Sequence, residues 1–398
     1  MAEVPMLAKV VRSLHRTIRS EMMLPSAAKA ERRIDRKGLA DDPGIETAVE
    51  LAVRWLCRAQ DCSRSHDGGV ARDYSLLNGW STSYPETTGY IVPTMLAVAA
   101  LRQDNTLRAR AHAMLDWLVS IQFPEGGFQG SVIGAVPRVP VAFNTGQILL
   151  GLASGTRLWD SQYRVPMRWA ADWLVAAQEP DGSWRKFQSP QTTPGAKVYD
   201  THVAWGLLEA ARLEPDTSYA DAALANVRWA ISHQLANGWF ESCCLNVPEA
   251  PLTHTLGYAL RGIVEAYAFT KDANLLHSAR RTADGLLSAL GPDGFLPGRV
   301  DAQWHWRVEW SCLTGSLQVA HCWLQLFQFT ADPRYRDAAF AVNRYVRRTM
   351  RVEGSLDQRG GIKGSFPISG DYGRFEYLAW AAKFFIDANL LELAVRAQ

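Results

Sequence analysis

The 398-residue chain carries 42 basic and 40 acidic side chains, a net charge of +2, so it has no concentrated basic face for a nucleic-acid backbone. Its 47% hydrophobic content and 15 Trp suit a large buried core, and no apolar run approaches the roughly 20 residues that span a bilayer. The six Cys lack the paired spacing of a disulfide framework and no apolar stretch follows the start, so the expected compartment is cytoplasmic.

Residues 1–44 read as an arm and linker. Met6, Leu7, Val10, Val11, Leu14, Ile18 and Met22 recur at helical spacing among Lys9, Arg12, His15, Arg16 and Arg19, a basic amphipathic helix suited to docking on its own domain or to peripheral membrane contact. The charged stretch from Lys29 to Pro43 reads as a linker.

From residue 45 to residue 398 the chain repeats. An aromatic followed five residues later by Gln recurs at Trp55/Gln60, Trp117/Gln122, Trp173/Gln178 and Trp229/Gln234, with weaker copies near Gly285 and Tyr345. The interval of roughly 56 to 62 residues fits two helices and a sizeable loop. The first helix of each unit is amphipathic, as in Leu51, Trp55 and Leu56. Its stop is marked by Asp67-Gly68-Gly69, Glu125-Gly126-Gly127, Asp181-Gly182, Asn237-Gly238, Asp293-Gly294 and Glu353-Gly354, since Gly tolerates positive φ. A second, more uniformly apolar helix starts at Thr88-Gly89, Thr145-Gly146, Thr201-His202, Thr255-Leu256-Gly257, Thr314-Gly315 and a divergent sixth copy between Asp371 and Tyr377, where small and hydroxyl residues suit N-capping and close approach.

Amphipathic helices face water and apolar ones must be surrounded by protein, which predicts an all-α (α/α)6 toroid of six outer and six inner helices. This arrangement resembles the six-hairpin toroids, a group of glycoside hydrolases, polysaccharide lyases, sugar epimerases, squalene cyclases and prenyltransferases. The run Gln178-Glu179-Pro180-Asp181-Gly182-Ser183-Trp184 is similar to the Gln-Trp repeat of the last two. The resemblance covers about residues 45 to 395 and implies corner packing, without fixing a ligand.

The loops from outer to inner helix are long and the returns short, which puts function where the inner helices begin and where helix N-termini favour negative charge. Arg138, Arg185, Lys186, Lys197, Arg299, Arg307, Lys363 and Arg374 lie on those loops and suggest an anionic saccharide. Tyr74, Trp80, Tyr84, Phe128, Trp184, Phe187, Tyr199, Trp239, Phe240, Trp304, Trp306, Trp310 and Tyr372 offer ring faces for stacking there. Together with Tyr90, Asn144 and Asp371, several of these are candidate substrate contacts.

Titratable residues at the inner helix starts are the catalytic candidates: Glu86, Asp200, His202, His254, Glu309 and Glu376, with Tyr258 one turn inside. Glu86, Asp200, His202, His254 and Glu309 are expected to open onto one hollow. Two mechanisms fit. Glycoside hydrolysis would pair Glu86 or Glu376 with Asp200 or Glu309. Uronate elimination or epimerisation would use Asn144, His202, His254 and Tyr258.

No cofactor is expected. Glu241, Cys243 and Cys244 resemble a zinc-thiolate site only in residue type, because zinc requires four suitably spaced ligands. Two alternatives stand beside the saccharide reading: an isoprenoid (terpene) cyclase-like enzyme, though the chain has no Asp-x-Asp-Asp motif, and a non-catalytic glycan-binding or assembly partner in surface-polysaccharide metabolism.

Overall fold

A computed structural model describes residues 23–398, so the basic arm at residues 6 to 22 lies outside the described residues. Six outer helices alternate with six inner ones. The outer set is α2 (Ile45–Asp61), α4 (Asn105–Ile121), α6 (Arg164–Ala177), α8 (Tyr219–Ser232), α10 (Ala273–Ser288) and α12 (Pro333–Arg347). The inner set is α3 (Pro85–Arg102), α5 (Ala142–Trp159), α7 (Thr201–Ala211), α9 (Thr253–Thr270), α11 (Leu313–Thr330) and α13 (Ala379–Arg396). Each inner helix packs on the next, and α13 packs back on α3 and α2, which closes the (α/α)6 toroid.

One corner is built six times. The turn after each outer helix carries a glycine at positive φ, whose backbone lies against a carbonyl of the next outer helix. The pairs are Gly68 on Ala113, Gly126 on Trp169, Gly182 on Ala225, Gly238 on Arg281, Gly294 on Ala341 and Gly360 on Leu51. The last pair joins the sixth unit to the first. It also corrects the sequence expectation, because Gly354 has φ +95° but a Cβ added there would meet only Arg351 Nη2, at 3.4 Å, so the sixth corner is at Gly360.

The repeated Gln clamps this corner. Gln178 Nε2 donates to Gly182 O and to Ala222 O, both at 2.9 Å, and Gln60 and Gln122 repeat that bridge between their own turns and the next outer helix. The repeated Trp covers it, with Trp117 against Gly69, Trp173 against Gly127 and Trp55 against Gly361. Trp55 Nε1 also donates 2.8 Å to Asp357 O. In the fifth outer helix the aromatic is replaced by Gly285, and Trp304, folded back from the following loop at φ +63°, fills the gap and packs on Trp239.

The threonines at the inner helix starts do not cap. The residues at the N-cap positions make no side-chain cap bonds. Instead Thr88 Oγ1 accepts from Val70 N and Thr145 Oγ1 accepts from Phe128 N, each at 3.0 Å, which ties the incoming loop to the first turn of its helix. Short strands lace the loops across the closure: β1 (Asp73–Ser75) pairs antiparallel with β2 (Gly79–Trp80) and with β5 (Glu376–Leu378), and β3 (Ser311–Cys312) pairs with β4 (Ser365–Phe366). The sixth inner helix begins at Ala379, later than the expected start between Asp371 and Tyr377, because residues 376 to 378 are used as strand.

Part of the expected linker is helical. In α1 (Ser26–Asp35), Glu31 and Asp35 are buried against Lys363, with ion pairs of 2.7 and 2.5 Å. No helix among the described residues is long and apolar enough to cross a membrane.

Gly360→Ala would place a Cβ against the Leu51 carbonyl at φ +82°, and Gly182→Ala one 2.6 Å from Ala225 O at φ +91°. Both are expected to lower stability in chemical denaturation by about 1–3 kcal/mol, and Gly354→Ala by less. A silent Gly360→Ala would contradict the closed ring.

Candidate functional site

At the end of the barrel where the inner helices begin there is a cavity of about 250 Å³. Its wall takes Glu86 and Tyr90 from α3, Phe143 and Asn144 from α5, His254, Thr255 and Tyr258 from α9, and Trp380 from α13. Loops add Arg72, Tyr84, Gln188, Tyr199, Asn246 and Tyr372. Helix starts supply the acid, the imidazole and several hydroxyls, so the local rule that places polar groups at the head of each apolar helix also gathers them around one hollow.

Glu86 is the second residue of α3, and its carboxylate accepts a 2.6 Å hydrogen bond from Tyr84 Oη. Burial raises its pKa to about 7, against the opposing influence of the Tyr84 hydrogen bond and the Arg72 charge. His254 shows the opposite shift: burial lowers it to about 4, so the ring is neutral at pH 7. Its Nδ1 lies 2.8 Å from Gln318 Oε1. Tyr258 packs its ring 4.5 Å from that of His254, and Tyr90 Oη lies 3.4 Å from Tyr258 Oη. Trp380 Nε1 donates 2.8 Å to Tyr372 Oη, which sets another aromatic face beside His254 at 5.1 Å.

Asn144 is buried in the wall. Its amide stands near enough to Tyr84 Oη to ease that hydroxyl's ionisation, yet Nδ2 falls short of hydrogen-bond geometry and is free to donate to a ligand. Arg72 is the cation of the wall, held by Asp73 at 3.1 Å and Glu376 at 3.2 Å and stacked over Trp380.

The cavity thus brings together Glu86, His254, Tyr258, Tyr84, Tyr90 and Asn144. It does not admit the rest of the expected set. Asp200 lies behind the wall, where burial raises it to about 7 and its Oδ2 accepts 2.9 Å from Gln188 Nε2. His202 is fully buried, with Nδ1 2.5 Å from Gln147 Oε1 and its ring against Tyr258. Glu309 is exposed outside the cavity, and Glu376 reaches it only through Arg72.

The expected binding residues divide in the same way. Trp184 is fully buried and donates 2.9 Å to Leu174 O, while Trp239 and Trp304 pack on each other at a corner. Trp306 lies on Phe295 and donates 2.7 Å to Ala289 O. Arg185 is paired with Glu179 and Asp181, Arg307 with Asp301, and buried Lys197 donates 2.7 Å to Thr193 Oγ1. Asp371 and Arg374 are exposed and do not line the cavity. The tryptophans went to corner packing because a repeat of this length needs a large ring at each turn, while Arg185 and Arg307 found carboxylates on their own loops and Lys197 a hydroxyl.

Arg72, Phe143, Gln188, Asn246 and Trp380 also line the wall without having been legible in the sequence. Gln188 and Arg72 lie in irregular loops, and Trp380 belongs to the misplaced sixth start.

Among the described residues no three His, Cys, Asp or Glu side chains gather as metal ligands. Glu241 is exposed while Cys243 and Cys244 are buried, and the Cys243 thiol donates 3.5 Å to Thr255 O.

The two shifts in the cavity give opposite stability slopes. Glu86 has a raised pKa, so its contribution is present below the unfolded value of 4.5 and is lost as pH rises to about 7, on the order of 3 kcal/mol. His254 is depressed, so its contribution is present above 6.5 and is lost as pH falls toward 4. Urea denaturation from pH 4 to 8 is expected to show Glu86→Gln gaining stability over wild type as pH rises from about 4.5 to 7 and no further above it. His254→Gln should lose the decline toward pH 4.

No protein-family model matches the chain. Among curated proteins it is 29% identical over 182 residues to drimenyl diphosphate synthase of Streptomyces showdoensis, a match over 46% of this chain, and the chain spans about 30% of that relative's length. Among solved structures, an unsaturated glucuronyl hydrolase specific for heparin superposes with a TM-score of 0.71 at 15% identity, over 89% of this chain and 98% of its own. Cellobiose 2-epimerase from Bacillus thermoamylovorans superposes with a TM-score of 0.66 at 10% identity, over 88% and 98%. The chain therefore has the (α/α)6 toroid fold that these sugar-processing proteins share.

Proposed function

We propose that the cavity receives the end of a saccharide and carries out acid–base chemistry on it, with His254 as base and Glu86 as acid. The observation that carries this reading is the convergence of His254, Glu86, Tyr258 and Asn144 on the wall of one hollow, where burial lowers the imidazole to about 4 and raises the carboxyl to about 7. A volume of about 250 Å³ is below the ~300 Å³ typical of drug-sized ligands, which favours one or two sugar units over a bound polymer. Toroids that act on heparin-derived glucuronides and on cellobiose, by their names, lend the substrate class.

Within that class, the residues favour proton transfer at carbon over the two-carboxylate hydrolysis. Among the described residues only Glu86 supplies a carboxyl to the wall, since Gln188 lines it while its partner Asp200 does not. In the favoured route His254 Nε2 takes a proton from a carbon next to a carbonyl or carboxylate. The electron pair passes into that group, and Glu86 then returns a proton, to the opposite face in epimerisation or to the departing oxygen in elimination. Arg72, already paired with Asp73 and Glu376, can add a guanidinium N–H to a sugar oxygen, while Asn144 and the tyrosine hydroxyls orient the ring. With one cation among the described residues of the wall, itself paired, a singly acidic or neutral sugar suits the site better than a highly sulfated or phosphorylated one.

A screen against acidic and neutral oligosaccharides tests this by three signals: reducing ends, the ultraviolet absorbance of an unsaturated uronate, and solvent deuterium incorporated into the sugar. Deuterium or absorbance is expected, and reducing ends alone would support hydrolysis instead. Activity should rise as His254 loses its proton near pH 4 and fall as Glu86 ionises near pH 7. Glu86→Gln and His254→Gln should each lower kcat by about 10²- to 10⁴-fold.

A second reading has an observation of its own. The stretch of 29% identity is to a terpenoid synthase, and a protonated Glu86 among Tyr84, Tyr90, Phe143, Tyr258, Tyr372 and Trp380 could protonate an alkene beside rings that stabilise cations. Cyclised product from a linear isoprenoid diphosphate, with no turnover of any sugar, would establish it over the saccharide reading.

A further inference from the structure

His254 is the only imidazole among the described residues that line the cavity, so which of its nitrogens faces the ligand decides whether it acts as a base. The ring sits at the start of α9, and Gln318 reaches it from α11, with Oε1 2.8 Å from Nδ1. An amide oxygen has no proton to give. With Oε1 turned toward the ring the amide accepts, so this orientation of Gln318 places the proton on Nδ1 and leaves the lone pair on Nε2. Among the described residues Nε2 takes no hydrogen bond, while Gln318 is buried.

Gly257, one turn after His254, makes the reach possible. A Cβ there would lie 2.8 Å from Gln318 Cβ and 3.0 Å from Oε1. The barrel contains a second pair of the same kind, His202 Nδ1 with Gln147 Oε1 at 2.5 Å, but His202 is fully buried and absent from the cavity wall. One His–Gln pair is therefore open to a ligand and the other is closed to it, which separates a catalytic use from a packing use within one molecule.

We infer that Gln318 is the positioning residue of this site, holding the Nδ1–H tautomer of His254 so that the Nε2 lone pair is presented to the cavity. The inference rests on the reading of His254 as base, and Gln318 itself touches no substrate. A carboxylate in place of the amide would stabilise the imidazolium, whereas an apolar side chain would leave the tautomer unset.

Two-bond proton–nitrogen correlation spectra of the full chain labelled at histidine, with the His254 signal assigned by its loss in His254→Gln, read the tautomer without any substrate. The wild type is expected to show a neutral ring protonated on Nδ1. Gln318→Leu should show a mixture, and Gln318→Glu a ring that takes up its second proton at higher pH than in the wild type. With a turned-over substrate, Gln318→Glu should move the acid limb of the pH profile upward. Gln318→Leu and Gly257→Ala should lower kcat by about 10- to 100-fold, less than full loss of an acid–base group, with KM little changed. Gln147→Leu should reduce stability and leave the acid limb in place.

An Nε2–H ring in the wild type, a His254 titration unmoved by Gln318→Glu in a folded protein, or an acid limb shifted equally by Gln147→Leu would each overturn the assignment. If no saccharide is turned over, the spectra still decide the tautomer, so failure of the substrate reading is distinguishable from failure of this one.

Discussion

A glycine backbone pressed against the carbonyl of the neighbouring outer helix is the contact on which the ring depends. No side chain fits between Gly182 and Ala225, or between Gly360 and Leu51, so the distance between successive outer helices is fixed by backbone on backbone. The Gln amide then bonds across the junction, satisfying both the turn carbonyl and an outer-helix carbonyl that the helix leaves accessible. Repeating the same step and offset five times brings the sixth turn to the first helix. Closure is thus a consequence of a local geometry, and the inner barrel with its shared mouth is a consequence of closure.

The mouth owes its chemistry to the same construction. Each inner helix must be apolar along its length to be surrounded by protein, so polar side chains are admitted mainly where it begins. Glu86, Asn144, His254 and Tyr258 all lie within the first turns of their helices, and a closed ring brings those turns face to face. Desolvation there acts on both ionisable groups at once, in opposite senses, protonating the carboxyl and discharging the imidazole.

This explains what could be read from the chain and what could not. The period, the glycine stops at 68, 126, 182, 238 and 294 and the apolar second helices were legible because each is enforced by a rule that acts within a few residues. The sixth stop was misread because Gly354 and Gly360 share a positive φ and differ only in what lies beside them, which is a tertiary fact. That Glu86, His254 and Tyr258 line the cavity follows from their place at helix starts, whereas Glu309 and Asp371 occupied plausible loops that turn outward. Trp184 and Trp304 misled because an aromatic ring at a corner and one at a binding wall look identical in sequence. Arg72 and Gln188 gave no signal, since irregular loops have no period from which to infer direction.

The exchange of Gly285 for a ring supplied by Trp304 bears on how such repeats diverge. Compared by sequence, the fifth unit looks decayed; compared in space, it is intact, with the same volume delivered from a different point along the backbone. Drift at one position was tolerable only alongside a compensating bulk elsewhere, so residues 285 and 304 form a single heritable unit. Any graft or shuffle of hairpins between toroids would have to carry the two together.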